Sequence, residues 1–128
     1  MMKPGDHAEV TLVVGDHDTA IAYGSGDVPV LATPRVLALA EQAAVAALGE
    51  DLDAGQTSVG VHAELHHVKP THLGRAVTAR AEVLSIQGRT ITFEFRLVEG
   101  EEVAAYGTHQ RVLIDRDRFG IGIPRDID

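Results

Sequence analysis

The clearest change of period in this chain falls near Thr57, where the helical clustering of apolar residues gives way to the alternation of strands. The run "AEVTLVV" (Ala8 to Val14) reads as a first strand. "GDHDTAIAYGSGDVPV" has Gly, Asp and Pro breaking any period, and reads as a long loop with at most a short helical turn. Thr33-Pro34 opens a helix, with Thr as N-cap and Pro at the first helical position, and Gly49 is a plausible stop. Between them lie mostly Ala and Leu, strong helix formers. The helix is apolar almost all round, so burial on most sides is expected.

Four alternating segments follow. "TSVGVHAELHH" sets Val59, Val61, Ala63, Leu65 and His67 on one face, leaving Ser58, His62, Glu64 and His66 on the other. "RAVTARAEVLSI" sets Val77, Ala79, Ala81 and Val83 together, and "TITFEFRLV" does the same with Ile91, Phe93, Phe95 and Leu97. "EVAAYGTHQRVLI" reads as a last long strand, and "QGR" and "EGEE" as the hairpin turns between the final three. The stretch from Arg116 is a polar tail. One domain over residues 1–128 is expected, an α+β fold with a long antiparallel sheet of about five strands around one helix. So apolar a helix needs more cover than a single sheet supplies, which argues for a dimer.

Composition narrows the chemistry. The chain has 128 residues and no cysteine, which excludes disulfides, thiolate metal sites and a cysteine nucleophile. Its formal net charge is −8, the wrong sign for a nucleic-acid or anionic-membrane partner. The start shows no signal-peptide pattern and no stretch is apolar enough to span a bilayer, so a cytoplasmic protein is the expectation.

Glu41 lies in the apolar stripe with Leu37, Ala44, Val45 and Leu48, where a lone carboxylate is costly. His67 is the one histidine of "HAELHH" on the apolar face of its strand. An inward Glu and an inward His from facing elements point to acid–base chemistry, although structural ion pairs also populate such places. Thr33 adds a hydroxyl, with capping as its ordinary role. The helix N-terminus offers amide groups and a positive dipole to a developing oxyanion. His62 and His66 are about 13 Å apart on a strand, too far to share a metal. Lys69, Arg75 and Arg111 are candidate anion contacts, each more ordinarily a solvated surface charge.

Thr33-Pro34, Glu41, a run from His67 through Thr71 to Gly74, and the alternation Gly107, His109, Arg111 together resemble the fluoroacetyl-CoA thioesterase-like branch of the hotdog superfamily. The resemblance covers almost the whole chain; His72 stands where that motif usually has Pro. It implies a hotdog fold, a Thr33, Glu41 and His67 catalytic triad, and a homodimer, if not a higher oligomer, binding acyl-CoA near its interface. It also sets Gly60 near the acyl group, a position otherwise read as a flat strand residue admitting the helix. The family's phenylalanines before the helix are absent; "AYGSGDVPVLAT" has only Tyr23, which separates thioester hydrolysis from fluoroacetyl selectivity. The expected function is hydrolysis of a small or short-chain acyl-CoA, with no metal and no cofactor beyond the CoA of the substrate. The alternatives are a non-catalytic acyl-CoA or acyl-carrier binding protein and a hotdog dehydratase or isomerase.

Overall fold

A computed structural model describes residues 1–118. The polar tail beyond Arg118 lies outside the described residues. Strand β1 (His7–Val13) leads through a 3-10 turn (Asp16–Asp18) and a short helix α1 (Ala20–Tyr23) to the main helix α2 (Thr33–Leu48). Strands β2 (Gln56–His67), β3 (Ala76–Gln87), β4 (Thr90–Glu99) and β5 (Glu102–Asp115) follow. All five strands form one antiparallel sheet in the order β1-β3-β4-β5-β2, so β1 and β2 are its edges.

The alternation read from β3 and β4 is the one that builds the core. Val77, Ala79, Ala81 and Val83, with Ile91, Phe93, Phe95 and Leu97, are all buried beneath α2. The helix answers with Val36, Leu39, Ala40, Ala43, Ala47 and Leu48, a stripe at three- and four-residue spacing. Alanines on both partners let the helix lie close to the sheet. Fully burying each large side chain contributes about 1.5–3 kcal/mol.

The helix packs mainly on β1 and β3. Its flank toward β2 stays uncovered: Gln42, Val45 and Ala46 are exposed, and Ala38 and Glu41 partly so. The expectation of burial on most sides therefore fails along this flank of the single chain.

Strand β2 also departs from the simple alternation. Its pairing with β5 shifts register between Gly60 and His62, leaving Val61 as an extra residue in a β-bulge. A bulge reverses the face assignment on one side of it. Ser58 and Gly60 therefore face the helix side, where Ser58 Oγ meets Arg111 and Gly60 meets Glu41. Past the bulge, Ala63, Leu65 and His67 face inward, opposite His109, Gly107 and Ala105. The inward assignment of His67 holds. The outward assignment of Ser58 and the inward one of Val61 do not; Val61 is exposed.

Candidate functional site

Two clusters form within one chain. The first joins the start of α2 to the end of β2. Thr33 Oγ1 lies 2.8 Å from His67 Nδ1. The helix is capped instead by Ala32, whose extended backbone precedes the first turn without a side-chain cap bond. The expectation that Thr33 is the N-cap is thus corrected: Thr33 is one residue inside, and its hydroxyl serves His67. Pro34 has no N–H, and the amides of Arg35 and Val36 both donate to Ala32 O. This end of the helix therefore offers its dipole and the Thr33 amide rather than a ring of free donors.

His67 is partly buried, and its Nε2 is shielded from solvent with no hydrogen-bond partner among the described residues. Burial pushes its pKa below the ordinary histidine value, with the Lys69 backbone opposing that shift. The pair borders a cavity of about 310 Å³ whose walls include Ala20, Gly26, Val28, Leu31 and Lys69.

The second cluster surrounds Glu41. Arg111 Nη1 donates to Glu41 Oε2 at 3.2 Å, and the same nitrogen lies 3.2 Å from His109 Nε2. Arg111 Nε donates to Ser58 Oγ at 2.9 Å and Nη2 to Ser58 O at 3.1 Å. Arg111 and His109 are buried, whereas the Glu41 side chain is 40% exposed. Glu41 opens onto a second cavity, of about 400 Å³, with Ala38, Gln42, Val45 and Arg111. A Cβ on Gly60 would sit 2.5 Å from Glu41 Oε2, so only glycine leaves the carboxylate its place.

The expected triad is therefore not assembled inside one chain. Thr33 and His67 are together, and Glu41 stands apart with Arg111. Gly60 lies beside the carboxylate. Lys69 borders the Thr33–His67 cavity and pairs with Glu102 at 2.7 Å. Arg75 pairs with Glu99 at 2.8 Å and borders neither cavity. Arg111, expected as an anion contact, is a buried partner of Glu41. Two residues that the chemical reading passed over, Ser58 and His109, complete this cluster. The signal for His109 was present in the alternation of Gly107, His109 and Arg111 along one face of β5; the signal for Ser58 was hidden by the bulge.

The five-stranded antiparallel sheet around one main helix is a hotdog fold. A hot-dog-like protein from Thermanaerovibrio acidaminovorans superposes with a TM-score of 0.84 at 26% identity, covering 91% of this chain and 87% of that one. A point mutant of the fluoroacetyl-CoA-specific thioesterase FlK superposes at 0.85 with 29% identity, covering 94% and 93%. Residues 14–117 match the family of fluoroacetyl-CoA-specific thioesterases, and the chain belongs to that family. The fluoroacetyl-CoA thioesterase of Streptantibioticus cattleyicolor is 32% identical over 90 residues, 70% of this chain and 65% of that protein. The matched stretch thus spans slightly less than two thirds of that relative's length. Among the described residues no helix is long and apolar enough to cross a membrane.

Proposed function

We propose that this protein hydrolyses a small acyl-CoA thioester in the cytoplasm, at a site completed by a second copy of the chain. The family match supports the reaction class. The observation that carries the assembled site is the separation of its halves: Thr33 with His67 in one place, Glu41 beside Gly60 in another. One lies at the end of edge strand β2 and the other near its middle, roughly 20 Å apart along the strand.

Strand β2 is free on one side, with Gly60 through Glu64 exposed. An edge of this kind is a template for pairing with another strand. A two-fold axis through Glu64 would pair Leu65 of one copy with Ala63 of the other. Because Val61 is the extra residue of the bulge, the same register brings His67 opposite Gly60. Both pairs then match inward-facing positions with each other, as antiparallel pairing requires. The Thr33–His67 pair of one copy thereby meets the Glu41 carboxylate of the other, and the exposed flank of α2 gains its cover.

In such a site Glu41 takes a proton from a water molecule as that water adds to the thioester carbonyl carbon; alternatively the carboxylate itself adds, and water then hydrolyses the resulting anhydride to the free acid and Glu41. The carbon–sulfur bond breaks and CoA leaves as the thiol, its proton delivered through His67. Thr33 orients the imidazole through Nδ1. Lys69, at the cavity rim, is the basic group placed for the phosphates of CoA. Arg111 serves the carboxylate rather than the substrate.

The test is thiol release from a panel of short-chain acyl-CoAs, together with the oligomeric state in solution. Enzymatic release by a dimer is the expected result. Ligand-dependent thermal stabilisation without release would instead make this a binding protein.

A further inference from the structure

We propose that His109 is a positioning residue for the Glu41 carboxylate, acting as a neutral imidazole that holds both the β2 bulge and the Arg111 guanidinium. The juxtaposition is between three strands and the helix. His109 stands on β5, 2% exposed, with its ring facing Phe93 on β4 at a centroid distance of 6.1 Å. His109 Nδ1 lies 2.8 Å from His62 O, immediately after the register shift in β2. A carbonyl oxygen only accepts, so Nδ1 carries the proton. At the other nitrogen, the partner is Arg111 Nη1 at 3.2 Å, and a guanidinium only donates. Nε2 must therefore be the acceptor. The two partners together admit one form of the ring: neutral, protonated at Nδ1.

This form does two things at once. The Nδ1–H holds the His62 carbonyl and so pins the strand just past the bulge that places Gly60 beside Glu41. The Nε2 lone pair takes one hydrogen of Nη1. The second cluster then has a definite geometry. Ser58 fixes Nε and Nη2 from one side, His109 fixes Nη1 from the other, and the remaining direction of Nη1 is aimed at Glu41 Oε2. His109 Nε2 and Glu41 Oε2 are 3.8 Å apart, beyond hydrogen-bonding range, so the imidazole reaches the carboxylate only through Arg111. A protonated ring would turn a second donor toward Nη1 and place two buried cations side by side. The chain opposes that form: burial lowers the His109 pKa and the Arg111 charge lowers it further, outweighing the His62 carbonyl and the Glu41 carboxylate, which raise it.

The functional consequence rests on Glu41 being the reacting carboxylate. A carboxylate that is partly exposed on a helix flank has rotamer freedom, and an Arg held at both ends removes it. Misplacement of a reacting group by an ångström costs large factors in rate.

Two substitutions separate the two nitrogens. His109→Asn keeps a donor near the Nδ1 position for His62 O but does not reach Arg111. His109→Gln reaches Arg111 with an amide oxygen but does not offer the donor at the Nδ1 position. The expected result is that His109→Asn lowers kcat roughly tenfold or more with KM little changed. His109→Gln should retain a larger share of kcat, even where its melting temperature is the lower of the two. Equal kcat in parent and both variants, or kcat losses that merely follow melting temperature, would overturn the proposal.

Nitrogen NMR of the parent supplies a readout that does not depend on turnover. An Nδ1-protonated, neutral His109 and slowly rotating Arg111 Nη groups are expected, with the Nη signals averaging in His109→Asn. An Nε2-protonated His109 in the folded parent would sink the relay whether or not the protein releases thiols. Absence of thiol release with the expected NMR pattern would instead overturn the thioesterase reading and leave the relay standing.

Discussion

Thr33 and His67 are 34 residues apart in sequence and 2.8 Å apart in space, hydroxyl to Nδ1, because helix α2 starts one residue earlier than its composition implies. Ala32 takes the capping position, and the hydroxyl that would have capped the helix is released to the imidazole. A test follows from this division of labour. Thr33→Val keeps the volume and removes the hydrogen bond. Were Thr33 the N-cap, about 1 kcal/mol of stability would be lost. With the cap elsewhere, the melting temperature should move little while kcat for thioester hydrolysis falls roughly tenfold. Thr33→Ser should retain activity. A marked loss of stability with activity kept would return Thr33 to a capping role.

The separation of Glu41 from His67 leads to a second prediction. Glu41→Gln and His67→Ala should each be inactive alone, since every site in either homodimer lacks one group. Mixed dimers contain one site with both defects and one with neither. Co-refolded variants should therefore recover part of the parent turnover, up to about a quarter for random pairing of two equal pools in a two-fold dimer. Recovery absent from a mixture shown to contain heterodimers would mean that Glu41 and His67 act within one chain.

These relationships were legible in the sequence to different degrees, and the reasons are physical. Ile91, Phe93, Phe95 and Leu97 follow strict alternation because β4 lies inside the sheet and packs one whole face on the helix. Glu41 and His67 stood out because each is expensive on an apolar face. Their separation did not, because distance across a sheet is set by strand order, and periodicity carries no strand order. The bulge at Val61 was invisible for a similar reason. "SVGVHA" alternates perfectly well without it, and only pairing with β5 shows that Val61 is the extra residue. Arg111 looked like a surface cation until Ser58, His109 and Glu41 closed around it.

The histidines supply a pH signature with a definite sign. Both His67 and His109 have pKa values lowered by burial, so the unfolded chain takes up their protons at higher pH than the folded chain does. Their contribution to stability is fully present above the ordinary histidine value of about 6.5 and is lost as pH falls through the depressed folded values. Melting temperature should therefore fall on acidification below neutrality. The fall should be shallower in His67→Gln, which removes one of the two proton sinks. An identical pH dependence in parent and variant would show that His67 is not resisting protonation in the folded state.

Gly60 gives the sharpest separation between fold and site. It lies on an edge strand, and a methyl group there would point into the cleft rather than into the packed core. The obstacle is Glu41 Oε2 at 2.5 Å, with His109 Cε1 at 3.1 Å and Arg111 Nη1 at 3.3 Å behind it. Of these, the carboxylate is the end of a flexible side chain and gives way most easily. Gly60→Ala should therefore cost little stability, about 1 kcal/mol or less, since the residue has an ordinary negative φ and no backbone strain is added. The carboxylate, however, must leave its place on Arg111, and thioester turnover should fall on the order of a hundredfold. Paired melts and thiol-release assays decide it. Should Gly60→Ala keep parental turnover, the carboxylate position held by Arg111 is not the one that reacts; should it unfold the protein, Gly60 is a packing residue and its neighbourhood to Glu41 is incidental.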